Sequence, residues 1–582
     1  MKFKEICLYF EKIEKTSSRL EIASILKEIF LKVNSEELSK LVYFLQGTIG
    51  PIYKGKEINI GPKTLINLIA KYLGQTTVAV KKELNKKGDL GIVITSLESK
   101  VFQKTLFSKE LEFLDVYLAL EKISNIDGKN AIFKKLQIFE SILFNLDKIS
   151  AKYIIRFPIS FRLGFGDSTI IDALSFLDDS IDQKKSREII SIKYEIISDL
   201  GYLSKIIKEK GILFLENLSL EKFVPFKSAL CERAKNFSEI VKRLSGPENK
   251  EFIVDSKIDG FRQQIHKFGQ VIKIFSRNQE EMSNMFPDIV EEIKKINFDF
   301  IIDCEAIAYD YINNRYLPFQ ITMQRKRKYD IFEKSKKLPL HLKVFDIIYF
   351  KDKETFSLSN LERRKIIEKY FNISEIIKPT EIIITKNVKE LEDFFNNRIE
   401  NGFEGIIAKD LDSSYKAGSR GFNWIKFKKS YYNNSLDTID AVILGVFLGQ
   451  GKRSENKVGA LLMGIYDSFD EKYKTIAKLG SGLSDDILKY LCNIFEKDKL
   501  SYKPINICTN IEPDYYVLPK IIVEINFDDI TFSNLHTCCY SNIKKTGLAL
   551  RFPRFIKFRT DKTCFQTTTS EEINRIFDLQ NN

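Results

Sequence analysis

The sequence predicts a multidomain α+β protein with an N-terminal helical region, a central α/β region and a C-terminal small β-barrel. The chain has 582 residues, too many for a single hydrophobic core. Up to about residue 225, stretches such as LEFLDVYLALEKI and EIASILKEIFLKV place apolar residues at helical spacing. Beyond that point, short β-rich runs alternate with turns. We therefore predict domains at residues 1–225, 226–430 and 431–582.

The first predicted boundary follows a change in composition. The stretches FVPFKSAL and LSGPENKEF bring Pro225, Gly246 and Pro247 into a chain otherwise poor in such breaks. After them, FRQQIHKFGQVIKIFSRN predicts a hairpin with its turn near Gly269. The runs FDFIIDCEAIAYD and HLKVFDIIYF are also predicted strands, so the central region should contain sheets.

The last predicted domain is built from short strands with glycine turns, as in IDAVILGVFLG, GALLMGIYD and IIVEINFDDI. This spacing favours a small barrel such as the OB-fold, which commonly binds nucleic acid. The final stretch SEEINRIFDLQ predicts a helix with Ser570 as its N-cap and two glutamates in its first turn.

Composition narrows the class of partner. Lys and Arg number 92 against 79 Asp and Glu, a net charge of +13. This excess favours polyanions such as nucleic acid as binding partners, although a lysine-rich surface is the plainer explanation.

The eight cysteines form no CxxC pair, so they predict buried thiols in a reducing compartment and give no support for structural zinc. Neither a signal peptide nor a membrane span is apparent, and we expect a soluble intracellular protein.

The stretch FIVDSKIDGFRQQIH ends an apolar run on a lysine, Lys257. A lysine amine is a nucleophile only when neutral, and burial or neighbouring cations lower its pKa. Alternatively, Lys257 is a solvated residue at a strand end. K-x-D-G alone is too short to decide, so the test is whether suitable partners follow it.

Such partners follow in order. Glu305 lies in an apolar strand, where a carboxylate needs a hydrogen bond, a ribose or a metal ion. Phe345 is an aromatic side chain that could stack on a base, and Glu404 beside a glycine suits Mg²⁺. The cationic positions are Arg262, Arg277, Arg420, Lys426, Lys428, Arg559 and Lys562. Each has a plain structural alternative, as a satisfied core carboxylate, a core aromatic or a solvated strand face. The hypothesis of a phosphate-transferring site depends on their number and order.

The order of these motifs resembles that of the covalent nucleotidyltransferases, and in particular the ATP-dependent DNA ligases of the archaeal and eukaryotic replicative type. The stretches that carry the resemblance are SKIDGFRQQIH, FSRN, DCEAIAYD, FDIIYF, EGIIAKD, NWIKFKK and RFPRFIKFRTDK. Further ligase-like stretches are LPFQITMQRKRK, LGQGKR, KLGSGLSD, FRLGFGDSTIIDAL and GDLGIV. The resemblance covers nearly the whole chain. It implies a helical DNA-binding domain, an adenylation domain and an OB-fold domain, in that order.

The resemblance also implies residue roles. Lys257 would be the adenylated nucleophile, and Asp255 stands where relatives usually carry a glutamate near the adenine. Glu404, with Glu305, would hold a metal ion. The remaining positions would contact ATP or the leaving pyrophosphate: Arg262, Arg277, Glu305, Phe345, Arg420, Lys426, Lys428, Arg559 and Lys562. The implied substrate is ATP, with Mg²⁺ as cofactor.

The implied reaction seals 5′-phosphate/3′-hydroxyl nicks in duplex DNA through a lysyl-adenylate and a DNA-adenylate, in replication, repair and recombination. The stretch QKTLF, Gln103 to Phe107, resembles a short sliding-clamp motif. We expect a monomer, cytoplasmic in an archaeal-type cell and nuclear in a eukaryotic one. An RNA ligase or capping guanylyltransferase is the alternative within enzymes, and a catalytically inactive DNA-binding scaffold is the alternative outside them.

Overall fold

The structure is a computed structural model of the 582-residue chain. It describes residues 1–16, 18–100, 110–327, 329–418, 420–428, 438–449, 458–467, 470–500, 502–541 and 545–581. The chain forms two compact units. The first comprises Met1–Asn59, Glu110–Ile142 and Phe165–Tyr432, and the second comprises Ile60–Lys109, Leu143–Gly164 and Asn433–Asn582.

The N-terminal part is helical, as predicted. Its helices are α1 Phe3–Glu14, α2 Arg19–Lys32, α3 Ser35–Leu45, α4 Pro62–Leu73, α5 Thr77–Lys87, α6 Leu90–Ser96, α7 Phe113–Ser124, α8 Ala131–Leu143, α9 Lys148–Ser160, α10 Asp167–Leu174, α11 Gln183–Ile196 and α12 Leu200–Lys210. Helices α4, α5, α6 and α9 belong to the second unit. In the first unit, α1, α3 and α7 share an aromatic core, in which the Phe44 ring lies 5.9 Å from those of Phe3 and Phe113.

The central part alternates strands and helices. Its elements are β1 Leu230–Arg233, α13 Phe237–Ser245, β2 Phe252–Lys257, β3 Phe261–Phe268, β4 Val271–Ser276, α14 Pro287–Lys294, β5 Phe300–Asp310, β6 Arg315–Tyr316, α15 Phe319–Thr322, α16 Ile331–Lys337, β7 Leu340–Phe350, β8 Lys353–Glu354, α17 Asn360–Tyr370, β9 Ile377–Pro379, β10 Ile382–Thr385, α18 Val388–Glu400, β11 Gly405–Asp410 and β12 Arg420–Lys428. Strands β3 and β4 form the predicted hairpin, with Phe268 opposite Val271.

Two sheets organise this central part. One has the strand order β1-β12-β11-β2-β10, and the other runs β4-β3-β5-β7-β8 with β6 and β9 attached. Helices α13 and α18 pack on one face of the first sheet, and α14 and α17 pack on one face of the second. The remaining faces meet at a third apolar cluster, in which Trp424 from β12 packs with Ile301 from β5 and Ile348 from β7. Because both faces of each sheet are covered, the strands appear as continuous apolar runs in the sequence.

The C-terminal part is β-rich, which confirms the predicted fold class. Its elements are β13 Thr438–Phe447, β14 Ala460–Asp467, β15 Lys472–Leu479, α19 Asp485–Asp498, β16 Lys499–Leu500, β17 Ile507–Cys508, β18 Tyr515–Val517, β19 Ile522–Asn526, β20 Asp529–Ser533, β21 Cys538–Ser541, β22 Thr546–Arg551, β23 Arg554–Phe558 and α20 Ser570–Asn581. Strand β13 pairs with β14, β18 and β19, so the sheet curls around one apolar core.

Two details differ from the sequence predictions. The cap of α20 is Thr569, not Ser570: its Oγ1 accepts from the Glu572 backbone N at 3.2 Å, and its own N donates to Glu572 Oε2 at 2.7 Å. A capping box is formed by residues three apart, so the pair Thr569 and Glu572 fulfils it one residue earlier than we predicted. The cysteines are not uniformly buried either, since Cys508 is exposed.

Candidate active site

Lys257 is the last residue of β2, on the sheet face opposite α13 and α18. Phe252 and Val254 of the same strand pack against those two helices. Because side chains alternate along a strand, Asp255 and Lys257 project to the other face, which turns toward the second sheet. The lysine side chain is 19 % exposed.

The register of the sheet brings a second lysine near Lys257. Strand β11 lies between β2 and β12, and Gly405 is opposite both Lys257 and Lys428. A Cβ on Gly405 would lie 2.1 Å from the Phe427 carbonyl oxygen, so only glycine fits here. The two lysines therefore flank a position without a side chain.

Glu404, immediately before that glycine, bridges the two lysines. The Nζ atoms of Lys257 and Lys428 donate to its Oε2 and Oε1, and its backbone N donates to the Lys257 carbonyl at 2.9 Å. Burial alone would lower the pKa of Lys257, but the Glu404 carboxylate outweighs burial and raises it. Burial likewise would raise the pKa of Glu404, but the two ammonium groups lower it. In the free protein, Lys257 is therefore held as an ammonium ion.

The K-x-D-G spacing places Glu305 beside this cluster. A Cβ on Gly260 would lie 2.2 Å from the Ala306 carbonyl oxygen and 3.0 Å from Glu305 Cγ, so the glycine allows the turn after β2 to pass directly over β5. Burial raises the pKa of Glu305 to about 8, with Lys257 acting in the opposite direction. Within the described residues no group donates a hydrogen bond to the Glu305 carboxyl group, which makes it a candidate for binding a ligand.

Arg262 forms a buried ion pair. Its Nε donates to Asp303 Oδ1 at 2.8 Å, its Nη2 donates to Asp303 Oδ2, and its Nη1 donates to the Ala229 carbonyl at 2.9 Å. The Tyr415 hydroxyl donates to the same carboxylate at 3.0 Å. Burial opposes the charge on Arg262, but Asp303 outweighs burial and raises the pKa of the guanidinium. The guanidinium lies 5.1 Å from the centre of the Phe345 ring, so the ion pair supports that ring.

Lys409 is a buried cation that the sequence analysis did not select. Its Nζ lies 4.2 Å from the Trp424 ring centre and 5.3 Å from that of Phe345, and donates to Asp255 Oδ2 at 2.7 Å. The register places Lys409 opposite Ile253 and Trp424, on the same sheet face as Lys257. In the sequence, Lys409 looks like a strand-end residue, and only the register indicates where it lies.

Asp255 is buried, and its carboxylate is already hydrogen-bonded within the protein. Its Oδ1 accepts from Thr380 Oγ1 at 2.5 Å and from Arg364 Nη1 at 3.2 Å, and its Oδ2 accepts from Lys409. A carboxylate offers about four acceptor sites, and three are used. Asp255 therefore fixes Lys409 and Arg364 in the cluster, and its predicted place near the adenine stays a prediction.

The other predicted residues are more scattered. Lys426 is half-buried, opposite Ile407 in the sheet register. Arg277 is exposed in the turn after β4. Arg420 begins β12, and its side chain lies outside the described part of the structure.

Arg559 and Lys562 lie in the second unit, around Asp440 at the start of β13. Arg559 Nη1 donates to both Asp440 oxygens at 3.0 and 2.9 Å, and Lys562 Nζ donates to Asp440 Oδ2 at 2.6 Å. The other edge of Arg559 donates to Asp561 at 2.9 and 2.8 Å, which lowers the pKa of that carboxyl. The two cations thus belong to a carboxylate-stabilised cluster of their own.

Two further predictions concern the clamp-like stretch and membrane-spanning helices. The clamp-like stretch Gln103–Phe107 lies outside the described residues. In the part of the chain that the structure describes, no helix is both long and apolar enough to cross a membrane.

Three family models match successive stretches of the chain. The family model of the ATP dependent DNA ligase domain matches residues 228–428, that of the DNA ligase N terminus matches residues 2–175, and that of the ATP dependent DNA ligase C terminal region matches residues 454–562.

Relatives that match over nearly the whole chain are also DNA ligases by name. The chain is 39 % identical over 581 residues to a probable DNA ligase of Dictyoglomus turgidum, covering 99 % of this chain and 97 % of the relative. It is 36 % identical over 594 residues to the DNA ligase of Saccharolobus solfataricus, covering 100 % and 98 %. A solved structure described as Pmar-Lig_PreS3 shares the fold, with a TM-score of 0.55 over 95 % of this chain and 99 % of that one, at 16 % identity.

The family models and the full-length relatives define one class of enzyme, the nucleotidyltransferases. The chain belongs to the ATP-dependent DNA ligase family, whose activity is the sealing of nicks in DNA with ATP as the nucleotide substrate. This confirms the predicted family and enzyme class, and favours them over the RNA ligase and capping-enzyme alternative.

Proposed function

We propose that Lys257 is the nucleophile that carries AMP during nick sealing. The observation that carries this proposal is the cluster of Lys257, Glu404 and Lys428 around Gly405, with Glu305 beside it. A reactive amine needs a neighbouring group that can take its proton, and Glu404 Oε2 is already hydrogen-bonded to Nζ. Developing phosphate charge needs cations, and Lys428 with Lys426 on the same strand face supplies them.

The proposed reaction has three phosphoryl transfers. The neutral amine of Lys257 attacks the α-phosphate of ATP, a nitrogen–phosphorus bond forms and pyrophosphate leaves. The AMP then passes to the 5′-phosphate at a nick. Finally, the 3′-hydroxyl attacks that phosphate, sealing the strand and releasing AMP.

The remaining predicted residues are proposed to hold the substrate. Phe345, supported by Arg262 and Lys409, offers a ring face to a base, since aromatic faces stack well on nucleobases. Glu305 has a carboxyl group free to receive a ribose hydroxyl. Arg277, Arg420, Arg559 and Lys562 would contact ATP or the leaving pyrophosphate, and Asp255 would keep Lys409 in place.

The carboxylates Glu305 and Glu404 fit a magnesium ion. Glu404 forms its hydrogen bonds to Lys257, and Glu305 lies beside the turn that follows Lys257. Mg²⁺ usually binds through one or two carboxylates together with substrate phosphates. When bound, it would neutralise charge on the phosphate oxygens.

We also retain the predicted organisation and partners as proposals. Residues 1–225 would bind the duplex backbone, 226–430 would adenylate, and 431–582 would form the OB-fold domain with a C-terminal helix. The helix α10 begins at Asp167 in the GFGDST stretch, where backbone N–H groups suit a phosphate. The protein would act as a monomer on nicked duplex DNA, in the cytoplasm of an archaeal-type cell or in the nucleus of a eukaryotic one.

The clamp hypothesis has a direct test. If the stretch from Gln103 to Phe107 docks on a sliding clamp, replacing Leu106 and Phe107 together by alanine should abolish clamp binding in a pull-down. Both are apolar anchors, and such residues carry most of the affinity of a short motif. Binding unchanged by the double substitution would contradict the hypothesis.

The adenylation proposal is tested without DNA. The protein is first freed of bound AMP and then mixed with Mg²⁺ and α-labelled ATP. Covalent label is expected on the wild type and none on Lys257→Arg, because an arginine side chain stays protonated and cannot attack. The matched control is Lys273→Arg: Lys273 also pairs with a glutamate, Glu281 at 2.8 Å, but on β4. The control should be labelled like the wild type.

Label on Lys257→Arg would show that another residue is the nucleophile. No label on a folded wild type would favour the inactive scaffold. A nicked duplex added to the labelled enzyme should then be sealed, which tests the later steps.

A further inference from the structure

Two consecutive cysteines in β21, Cys538 and Cys539, have their Sγ atoms 3.5 Å apart. Successive residues of a regular strand project to opposite faces, which would separate the two thiols. Here the pairing with β22 shifts register between Cys538 and Ser541, and Cys539 has a φ of 51°. The bulge and the left-handed residue re-aim the Cys539 side chain toward Cys538.

The two thiols have different surroundings. Cys538 is 0 % exposed in the apolar core of the curled sheet, whereas Cys539 is half-buried and donates to the Ser570 carbonyl at 3.3 Å. Lys474, whose Nζ donates to Asp467 at 2.8 Å, is one of the groups that lower the pKa of Cys539. The hydrogen bond between the two thiols, followed by Lys474, lowers the pKa of Cys539 against the effect of its burial, whereas burial raises the pKa of Cys538.

These different surroundings suit the two roles in a redox thiol pair, the attacking thiol and the resolving thiol. The attacking thiol must be partly accessible and readily ionised, and the resolving thiol needs only to be adjacent. Cys508, in the same unit, is more exposed but has no second thiol within contact among the described residues.

We propose that Cys538 and Cys539 form a peroxide-sensitive thiol pair, with Cys539 as the reacting thiol and Cys538 as the resolving one. The Cys539 thiolate attacks one oxygen of hydrogen peroxide. A sulfur–oxygen bond forms, the oxygen–oxygen bond breaks, and hydroxide leaves and takes up a proton to become water. The sulfur is oxidised to a sulfenic acid and the peroxide is reduced.

The Cys538 thiol then attacks the sulfenic sulfur. The sulfur–sulfur bond forms, the sulfur–oxygen bond breaks, and the departing hydroxide takes the Cys538 proton as a second water. Adjacent Cα atoms are about 3.8 Å apart, below the range of about 4.4–6.8 Å usual for disulfides. Such a bridge is strained, and strained disulfides are the readily reduced, regulatory kind. The pair would therefore form a disulfide on exposure to an oxidant and return to two thiols on reduction.

The test uses the full-length protein and hydrogen peroxide. After treatment and alkylation, mass spectrometry of the peptide spanning both cysteines should show a species lighter by two hydrogen atoms, which dithiothreitol reverses. Cys539 should be oxidised about tenfold faster than Cys508, following its thiolate character. In Cys538→Ala, the sulfenic acid on Cys539 should persist and react with dimedone. Cys508→Ser is the matched control and should oxidise like the wild type at Cys539.

Faster oxidation of Cys508 would show that exposure alone governs reactivity and would overturn the proposal. Conversion of Cys539 directly to sulfinic acid in the wild type would do the same, because a competent resolving thiol prevents it. If Cys538→Ala does not fold, as judged by circular dichroism, Cys539→Ser replaces it. That half-buried change removes the reacting thiol, so Cys538 should stay unoxidised at the same peroxide dose. Oxidation of Cys538 to a sulfenic acid in this variant at the wild-type rate would refute the assignment of Cys539 as the reacting thiol.

Discussion

Replacing Arg363 by methionine is expected to destabilise the central region by about 3–5 kcal/mol, the usual cost of leaving one member of a buried ion pair alone. Arg363 is 0 % exposed, and its Nε and Nη2 donate to Asp346 at 2.7 and 3.3 Å. Its Nη1 donates to the carbonyls of Leu358 and Ser413 at 2.5 and 3.3 Å. Methionine would fill much of the space but leave the Asp346 charge buried without its partner.

Urea unfolding followed by tryptophan fluorescence measures this effect locally. Trp424 is the only tryptophan of the chain and is buried between the two central sheets, so its emission reports on this region alone. The matched control is Arg243→Met, since Arg243 forms a 2.6 Å pair with Glu239 at the surface. Exposed pairs contribute about 0–1 kcal/mol. An equal loss in the two variants would contradict the expected result.

On the proposal that Phe345 stacks on the base, the pair should also affect ATP binding, because Asp346 directly follows Phe345. An Arg363→Met, Asp346→Leu double variant removes both charges, and replacing a buried pair by apolar residues is often neutral for stability. If the double variant regains stability but not ATP binding, the ion pair also orients the strand that carries Phe345.

Covalent adenylation by the free enzyme is expected to speed up about tenfold per pH unit between about pH 6 and 9. Burial alone would favour the neutral amine, but Glu404 outweighs it and holds the pKa of Lys257 above its usual value. The neutral fraction of an amine rises tenfold with each pH unit below its pKa, and only that fraction attacks. The measurement is kcat/KM for label incorporation against pH, which reports ionisations of the free enzyme.

Glu404→Gln is the diagnostic variant for this pH dependence. Without the carboxylate, Lys257 would face Lys428 in a partly buried site, and both effects lower the pKa of an amine. The rate is expected to fall overall, but the profile should level off at a lower pH than in the wild type. A flat wild-type profile, or an identical profile in the variant, would show that the Lys257–Glu404 pair does not control the step.

The order of the elements and the identity of the central lysine could be predicted from the sequence. Periodicity indicates helices and strands locally, and Lys257 stands out in the sequence because the expected carboxylates, aromatic residue and cations follow it in order. The register between strands distant in the chain could not be predicted, because no local pattern encodes it. For that reason Lys409 was missed, and nothing in the sequence showed that the Asp255 carboxylate would be hydrogen-bonded within the protein.

The row of Lys257, Gly405 and Lys428 joins strands from opposite ends of the central region. During synthesis, β2 leaves the ribosome long before β11 and β12, and its apolar side chains then have no partners in the sheet. Contacts between such distant segments form slowly, and unpaired apolar strands are prone to association. A chain cut short before Lys428 would lack one of the two lysines of the row. The row should therefore assemble only late in translation. Until then, the exposed strands of the nascent chain should need to be shielded by chaperones.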